Sequence, residues 1–541
     1  MSSTPDIARA MATTVSGPDI ARATATTDGA PAIVSISLVS HTNAGKTTLA
    51  RTLLGRDIGE VRDAPHVTDF ADAHVLVETG RGDRLLLWDT PGFGDTVRLV
   101  RRLRQAEHPV GRFLSEAWDR WRDRPFWASQ QAVRHTRDDA DVLLYLVNAS
   151  EQIEAAGYVQ PEMELLGWIG KPVVVLLNQL GAPRDGAVEA TEIARWRASV
   201  SAHSHVRAVL PLDAFARCWV QESTLLAAVE DVLPAAKQPA MARLREAWRA
   251  RRIATFDASV QAIATSLARI ATMSETVADG GGGVRARLRQ AGAAVGLGSA
   301  ERGPAGLAQD ALAARLDDEI RAHTRELLAL HGLEGSAEGA IRERLASGYD
   351  LRLRLDETQA AMWGGAITGA LVGLKADLLS GGLTLGGGLI AGGVLGALGS
   401  AGLARCVNLV RGTDRSFVTW NAAALDAMVE AALLRLLAVE HFGRGRGDWV
   451  EGEAPPHWAG VVAAALAPLC EALDAAWSER VRAGAAEPAA LAARLAPIVG
   501  AAARASLRDL YPEARRIWPS EPAEELNDER TDERADERDP R

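Results

Sequence analysis

At 541 residues the chain is too long for one hydrophobic core, so two or more domains are expected. Apolar residues make up 47% and charged residues 24%, as in an ordinary globular protein, and abundant Ala, Leu and Arg with 5% aromatics favour helices. The net charge of −10 gives no overall basic field, so no nucleic-acid partner is expected. The three cysteines, Cys218, Cys406 and Cys470, form no CxxC pair, which fits a reducing cytoplasm.

Both ends of the chain differ from the rest. Residues 1–31 form a leader in which PDIARAMATT at 5–14 is nearly repeated as PDIARATATT at 18–27, with no signal-peptide pattern. Residues 521–541 are strongly charged and have almost nothing to bury, and the tail is taken as 517–541. Both segments are predicted to be disordered.

Apolar runs that read as buried strands follow in chain order from the leader. They lie at 33–39, 74–78, 84–88, 141–147, 172–177 and 206–211, and the first is followed by a Gly-Lys-Thr turn and a helical stretch at 47–54. Strands of this kind alternating with helices predict an α/β domain whose mostly parallel sheet has helices on both faces. Pro234 and Pro239 mark its end, which gives a first domain at 32–235.

The second half predicts an all-α domain at 236–516, because Leu, Ile and Ala recur at helical spacing between Arg and Glu. Within it, the segment 360–404 is rich in glycine, and residues 378–404 carry no charge. Glycines recur every fourth residue, which lets two helices approach closely. The segment is predicted to be a helical hairpin, either dipping into a membrane or packed as a soluble helix pair. The glycines concerned are Gly365, Gly369, Gly373, Gly388, Gly392 and Gly396.

The residues SHTNAGKT at 40–47 directly follow the first strand. They match the phosphate-binding loop G-x-x-x-x-G-K-[ST] except that Ser40 replaces the leading glycine. Such a loop turns backbone amides and a helix N-terminus towards phosphates, while a lysine reaches the β and γ oxygens. Gly45 and Lys46 meet this requirement, and Thr47 supplies a hydroxyl for Mg²⁺.

A second element, DTPG at 89–92, follows the strand RLLLW. An aspartate at this end of a parallel strand can hold the metal through water, and the amide of Gly92 can sense the γ-phosphate. Between the two motifs, Thr68 lies where a switch threonine would close over the metal and the γ-phosphate. The joint match predicts a triphosphate site with Mg²⁺.

The run S-x-x-N-x-G-K-T-T-L, then Thr68, then DTPG, resembles the G domain of bacterial Era-like and TrmE-like GTPases. The layout resembles members that carry a helical C-terminal domain of unknown function. The resemblance implies a Ras-like P-loop G domain that binds GTP or GDP with Mg²⁺ and hydrolyses GTP. It also implies a role for each matching residue. The catalytic candidates are Lys46, Thr68 and Gly92, the metal ligands are Thr47, Thr68 and Asp89, and the nucleotide-binding residues are Asn43, Ala44, Gly45, Lys46, Thr47, Thr48 and Asn178. Some members use the asparagine matching Asn43 to bind a stimulating K⁺ ion, which is a hypothesis for this chain.

Two positions depart from the family pattern. Where N-K-x-D should read guanine, the sequence is NQLG at 178–181, so Gly181 replaces the carboxylate that pairs with the base. Asn178 could still tie this loop to the phosphate loop, while Asp185 or amides near Leu212 could read the base instead. Phe93 follows DTPG where Ras-like enzymes carry a water-orienting glutamine, so unaided hydrolysis is predicted to be slow.

The leading hypothesis is a GTP-binding and hydrolysing regulatory switch, coupled to the helical half and to an unknown protein effector. It is placed in the bacterial cytoplasm or at the inner membrane face. One alternative is a dynamin-like membrane-remodelling or scaffolding protein that forms homo-oligomers. Another is an NTPase without strict guanine selectivity.

Overall fold

The computed structural model describes thirteen stretches of the chain. These are residues 31–41, 44–55, 72–93, 96–104, 124–151, 156–179, 186–212, 218–277, 304–333, 407–411, 416–441, 457–482 and 487–518. The predicted hairpin at 360–404 lies outside these residues, as do the predicted leader up to residue 30 and the charged tail from residue 519.

A six-stranded sheet forms the centre of the first half. Its order is β2-β3-β1-β4-β5-β6, with β2 antiparallel to β3 and the other neighbours parallel. All six strands coincide with the apolar runs in the sequence, which confirms the mostly parallel sheet. The strands are β1 Ile33–Ser40, β2 Asp72–Glu78, β3 Arg84–Asp89, β4 Val142–Asn148, β5 Val173–Asn178 and β6 Val206–Pro211.

Both faces of this sheet are buried because its strands are apolar at consecutive positions. Leu144 and Leu146 of β4 belong to one hydrophobic cluster, and Leu143, Tyr145 and Val147 belong to the cluster on the other face. Helices cover the two faces, as expected for an α/β domain. They are α1 Lys46–Leu54, α2 Thr96–Arg104, α3 Arg124–Asp138, α4 Val159–Ile169, α5 Gly186–Val200 and α6 Trp219–Val232.

The second half is helical, as predicted, and it also contains a small antiparallel sheet of order β7-β9-β8. The sequence did not indicate these strands because each has only four or five residues and none is a continuous apolar run. The elements are α7 Gln238–Thr272, β7 Ser274–Val277, α8 Pro304–Leu330, β8 Val407–Arg411, β9 Ser416–Trp420, α9 Ala422–Glu440, α10 His457–Leu466, α11 Cys470–Arg482, α12 Pro488–Leu510 and α13 Ala514–Ile517.

Helix starts in this half follow ordinary capping chemistry. The side chain of Asn421 accepts a 2.9 Å hydrogen bond from the amide of Ala424, which satisfies an amide at the start of α9. Pro239 lies in the first turn of α7, where the missing N–H removes no helical hydrogen bond. The 35-residue α7 packs along α12 and α8 and is the central helix of this half.

The helical half packs directly on the α/β half. One hydrophobic cluster runs from β1 and β3 through α6 into α7, α9 and α12. Polar contacts support this junction, because Arg243 of α7 bonds Asp83 before β3, and Arg252 bonds Glu222 of α6 at 2.8 Å. Movements of the sheet edge and α6 can therefore reach α7 through direct contacts.

Two described helical segments are long and apolar enough to cross a membrane by length and composition alone. They are His457–Arg480 and Pro488–Leu510, and 61% of the most apolar part of the second is buried in the fold. Core helices of soluble proteins have the same composition, so this observation is weak evidence for a membrane.

Candidate nucleotide-binding site

The phosphate-loop candidate connects β1 to α1 at the carboxyl edge of the sheet. β1 ends at Ser40, Gly45 has φ +88° and precedes the helix, and the amide of Leu49 makes the first helical bond to Gly45 O at 2.9 Å. Glycine adopts this left-handed backbone at little cost. Ala44 and Thr48 are buried on either side, whereas Asn43 lies outside the described residues.

Lys46 is buried at the first position of α1. Its Nζ donates to Ser40 Oγ at 3.0 Å and to His41 O at 3.5 Å, and Ser40 Oγ donates in turn to His41 O at 2.5 Å. Burial lowers the pKa of Lys46, while the negative charges of Asp89 and Glu162 oppose that change. The serine that replaces the leading glycine therefore holds the ammonium group inside the loop.

Two oxygen atoms meet beside this lysine. β3 lies next to β1 in a register that pairs Asp89 with Leu38, and this brings Asp89 Oδ2 to 2.6 Å from Thr47 Oγ1. A hydroxyl and a carboxylate are hard oxygen donors of the kind that Mg²⁺ prefers, since this ion keeps several waters and takes few protein ligands. The pair fits a magnesium ion held by Thr47 directly and by Asp89 through water.

The segment after β3 runs alongside the phosphate loop. The hydroxyl of Thr90 donates to Leu38 O, and the amide of Phe93 donates to Ser40 O at 2.9 Å. Gly92 is buried between these anchors, and the ring of Phe93 is fully buried in the second hydrophobic cluster. The candidate γ-phosphate sensor is thus next to the loop, while the residue after it points into the core.

Asn178 lies at the carboxyl end of β5 and is fully buried. Its Nδ2 donates to Ala44 O at 2.8 Å, which joins the NQLG segment to the phosphate loop. Leu212 is buried next to this edge, with its amide bonded to Leu177 O at 3.0 Å. Thr68, Gly181 and Asp185 lie outside the described residues, so their predicted roles stay predictions.

Sequence reasoning missed Glu162, a fully buried carboxylate on α4 beside the phosphate loop. It bonds His41 at 3.0 Å, Thr96 at 3.1 Å and Tyr145 at 2.7 Å. The sequence did indicate a buried carboxylate here, because Glu162 shares a helix face with apolar Val159, Met163 and Leu166. A carboxylate on such a face needs hydrogen-bond donors, but no motif marks which ones.

Comparisons with known proteins agree with this architecture. The family model described as 50S ribosome-binding GTPase matches residues 35–179, and the model described as domain of unknown function (DUF3482) matches residues 200–496. The chain is 29% identical over 147 residues to GTPase Der of Myxococcus xanthus (strain DK1622), covering 27% of this chain and 26% of that protein. It is 27% identical over 145 residues to GTPase Era of Heliobacterium modesticaldum, covering 27% of this chain and 39% of that protein.

Solved structures are similar at lower identity. A variant of Aquifex aeolicus Era bound to GDP.AlF4- is 18% identical, covers 38% of this chain and 57% of that chain, and gives a TM-score of 0.28. Era in complex with MgGDPNP and nucleotides 1506-1542 of 16S ribosomal RNA is 17% identical, with coverages of 38% and 58% and a TM-score of 0.28.

The matched segment spans 26% to 39% of the length of these curated relatives, and it corresponds to the GTPase domain. The second family model begins at residue 200, before β6 and α6, so it includes the last part of the α/β fold as well as the helices. It covers more than half of the chain. The chain therefore belongs to the family defined by the domain of unknown function DUF3482, and it carries an Era/Der-type P-loop GTPase domain in front of it.

Proposed function

We propose that the chain is a regulatory switch that binds GTP with Mg²⁺ and hydrolyses it to GDP. The observation that carries this proposal is the convergence of three groups at one sheet edge. The ammonium group of Lys46 lies inside the phosphate loop, and Thr47 Oγ1 meets Asp89 Oδ2 at 2.6 Å beside it. A triphosphate with its metal needs a cation in the loop and hard oxygens next to it.

Each residue has a defined task in this proposal. Lys46 leaves Ser40 Oγ and binds the β and γ oxygens, while Thr47 and Asp89 hold the metal. When bound, Mg²⁺ would neutralise the negative charge that develops on the phosphate oxygens during hydrolysis. The Gly92 amide detects the γ-phosphate, and Thr68 closes over the site from the switch loop. The fixed amides of the loop hold the phosphates in line for attack by water.

Hydrolysis without a partner is proposed to be slow. Phe93 is fully buried, so it cannot orient the attacking water from the position after Gly92. A K⁺ ion bound near Asn43, or a group from a protein effector, would supply what Phe93 does not. Turnover in K⁺ compared with Na⁺ tests the first source, and equal rates would remove it.

A purine NTPase without strict guanine selectivity is the second candidate, and Gly181 favours it. A carboxylate at this position would pair with the two N–H donors of guanine. A site built to make such hydrogen bonds rejects a base that cannot form them by a large factor, because buried polar groups are then left unpaired. With Gly181 that contribution is missing. Competition of GTP against ATP for the same site separates the two candidates: a preference below about tenfold favours the unselective NTPase.

The decisive measurement for nucleotide binding is calorimetry with GTP and ATP in the presence of Mg²⁺. Wild type is compared with Lys46→Ala and with Lys171→Ala, which precedes β5 at the opposite edge of the sheet. Because Lys46→Ala loses charge-assisted hydrogen bonds to the phosphates, we expect it to bind about 10- to 100-fold more weakly than wild type. The control Lys171→Ala should bind with the affinity of wild type. Wild-type protein that is folded but binds neither nucleotide would refute the proposal.

The helical half is proposed to receive the nucleotide signal through α6 and α7 and to present it to a protein effector, in the cytoplasm or at the inner membrane face. Support comes from the Glu222–Arg252 and Asp83–Arg243 contacts across the junction. Flotation with liposomes tests membrane association and any nucleotide-dependent oligomer. The expected absence of a nucleic-acid partner stays a prediction, and co-sedimentation with ribosomes tests it.

A further inference from the structure

Glu162 joins three separate elements through one buried carboxylate. Its Oε1 bonds His41 of the phosphate loop at 3.0 Å and accepts from the hydroxyl of Thr96, the first residue of α2, at 3.1 Å. Its Oε2 accepts from the hydroxyl of Tyr145 on β4 at 2.7 Å. The side chain of Glu162 is fully buried, and the ring of His41 also stacks on Tyr158 with centroids 4.6 Å apart.

This arrangement is costly unless all its hydrogen bonds are made. A buried carboxylate loses its hydration, and only donors fixed around it recover that loss. Burial and the charge of Glu162 raise the pKa of Tyr145 well above its usual value, so its hydroxyl stays a donor. The charge of Glu162 also acts on Lys46, the phosphate-binding candidate. The carboxylate is thus part of the electrostatics of the site without facing the nucleotide.

The position of Thr96 makes the contact relevant to switching. Thr96 begins α2, four residues after Gly92 and three after Phe93. Phe93 is held where its amide bonds Ser40 O at 2.9 Å, and Thr96 is held where its hydroxyl bonds Glu162. Both anchors lead back to the phosphate loop, since Glu162 also bonds His41.

We propose that Glu162 is a positioning residue for GTP hydrolysis: it fixes the start of α2 to the phosphate loop, so that Gly92 and Phe93 keep one position relative to the γ-phosphate. The inference rests on the proposed GTPase function. Glu162 acts through Thr96 and His41 and touches no substrate. Releasing the start of α2 lets Gly92 and Phe93 adopt several positions, and only a fraction of them present the Gly92 amide correctly.

The test uses three variants of the full chain. Thr96→Val removes the hydroxyl that donates to Glu162 and lies 3.4 Å from Phe93 O, with almost no change in shape. Glu162→Gln removes the charge and leaves the contact between Thr96 and Phe93 in place. Tyr145→Phe is the matched control, because it removes a hydrogen bond to the same carboxylate on the sheet side and leaves the Thr96 contact. Affinities for GDP and for the non-hydrolysable analogue GMPPNP, kcat, and amide exchange of α2 are measured for each.

Thr96→Val and Glu162→Gln are expected to lower kcat about 10- to 100-fold, by misplacing the reacting groups. They should weaken GMPPNP binding while GDP affinity changes less than about twofold, because GDP lacks the phosphate that Gly92 senses. Amide exchange at the start of α2 should quicken even without nucleotide. Tyr145→Phe is expected to lower the melting temperature but to leave kcat unchanged.

Different failures point to different errors. If wild type binds and hydrolyses GTP but Thr96→Val keeps normal kcat and normal α2 exchange, the positioning role is refuted and the GTPase function stands. If Tyr145→Phe lowers kcat as much as Thr96→Val, the carboxylate has only a structural role and the inference is equally wrong. If folded wild type binds no triphosphate, the proposed function itself fails, and α2 exchange still reports whether Glu162 holds the helix.

Discussion

The side-chain amide of Asn178 donates a 2.8 Å hydrogen bond to Ala44 O, and its nitrogen would lie only 2.8 Å from a Cβ atom at Gly45. Asn178 is therefore packed so closely against the phosphate loop that a methyl group at Gly45 would force it to shift. Gly45 also has φ +88°, a conformation that costs other residues about 1–2 kcal/mol. Two independent constraints thus fall on one residue.

Gly45→Ala should weaken GTP binding strongly, because the new methyl group must displace Asn178 from the loop. We expect a loss of about 1–2 kcal/mol in folding free energy from the backbone and at least a tenfold loss in affinity as the amides turn away. Gly55→Ala is the matched control: Gly55 has φ +65° but nothing within 4 Å of an added Cβ. Calorimetry should show normal GTP binding for the control. Equal affinities of the two variants would contradict the steric argument.

Phe93→Gln restores the residue type of Ras-like enzymes but should not restore their water-orienting function. The ring is fully buried in a cluster with Leu99, Val100 and Phe126, so the amide would enter an apolar core. We expect about 3 kcal/mol or more of destabilisation, from the lost packing and the buried amide. Chemical denaturation measures this cost, and Phe93→Leu serves as the milder control.

The same variant tests the account of slow hydrolysis. If Phe93→Gln is folded and hydrolyses GTP faster than wild type, the side chain reaches the nucleotide and its burial is not decisive. Single-turnover assays at a temperature where the variant stays folded separate this result from loss of protein.

The sheet and the phosphate loop could be predicted because each is encoded locally. The six strands are continuous apolar runs, and the loop has a fixed spacing from Gly45 to Thr47. The contact between Thr47 and Asp89 also follows from sequence, since Asp89 ends β3 and Thr47 lies in the first turn of α1, just after the loop that follows the neighbouring parallel strand β1.

The remaining features depend on contacts between distant residues, for which the sequence has no local pattern. Glu162 meets Thr96 and His41 across 66 and 121 positions. The short strand β7 pairs with β9 across more than 130 positions, so this part of the small sheet is set by a tertiary partner and not by periodicity. β8 and β9 pair locally, but they are short and lack a continuous apolar run. Ser40 accepts a hydrogen bond from Lys46, and this contact also has no local pattern in the sequence.

Asp83 should make folding stability depend on pH in the acid range. Two hydrogen bonds from Arg243 lower its pKa to about 2, helped by the Ala32 amide and the Thr79 hydroxyl and opposed by burial. Because the folded pKa lies below the unfolded one, this stability is present above about pH 4 and is lost as pH falls towards 2. Arg243 is partly exposed, so solvent screening limits the contribution to about 1–2 kcal/mol.

Asp83→Asn should therefore be less stable than wild type at pH 6, and the difference should shrink to about a third of that value at pH 2.5, by urea denaturation. Arg243→Gln should show the same loss at pH 6, since it removes the other partner of the contact that joins α7 to the sheet. A difference between Asp83→Asn and wild type that stays constant from pH 6 to pH 2.5 would show that the carboxylate charge contributes nothing.

Glu440, the last residue of α9, should have the opposite pH dependence. Burial raises its pKa to about 8, while the Trp219 side chain and the charge of Arg252 oppose that shift. Glu440 therefore binds a proton on folding at any pH between its unfolded pKa of 4.5 and its folded pKa of about 8. The free energy of unfolding falls as pH rises through this range. Glu440→Gln removes the titrating group but keeps its volume. The stability advantage of Glu440→Gln over wild type should be near zero at pH 4.5 and about 4 kcal/mol at pH 8.

The neighbouring His441 has the opposite effect on stability, which falls as pH is lowered. The Glu440→Gln variant is needed to separate the contributions of His441 and Glu440. Burial lowers the pKa of His441 to about 4, so its contribution is lost as pH falls below the ordinary histidine value. Wild type and Glu440→Gln share this loss, and only their difference reports on Glu440. Urea denaturation at pH 4.5, 6 and 8 measures that difference. A difference that does not grow with pH would mean that Glu440 is ionised in the folded protein and paired with a cation, for which Arg252 is the nearest candidate.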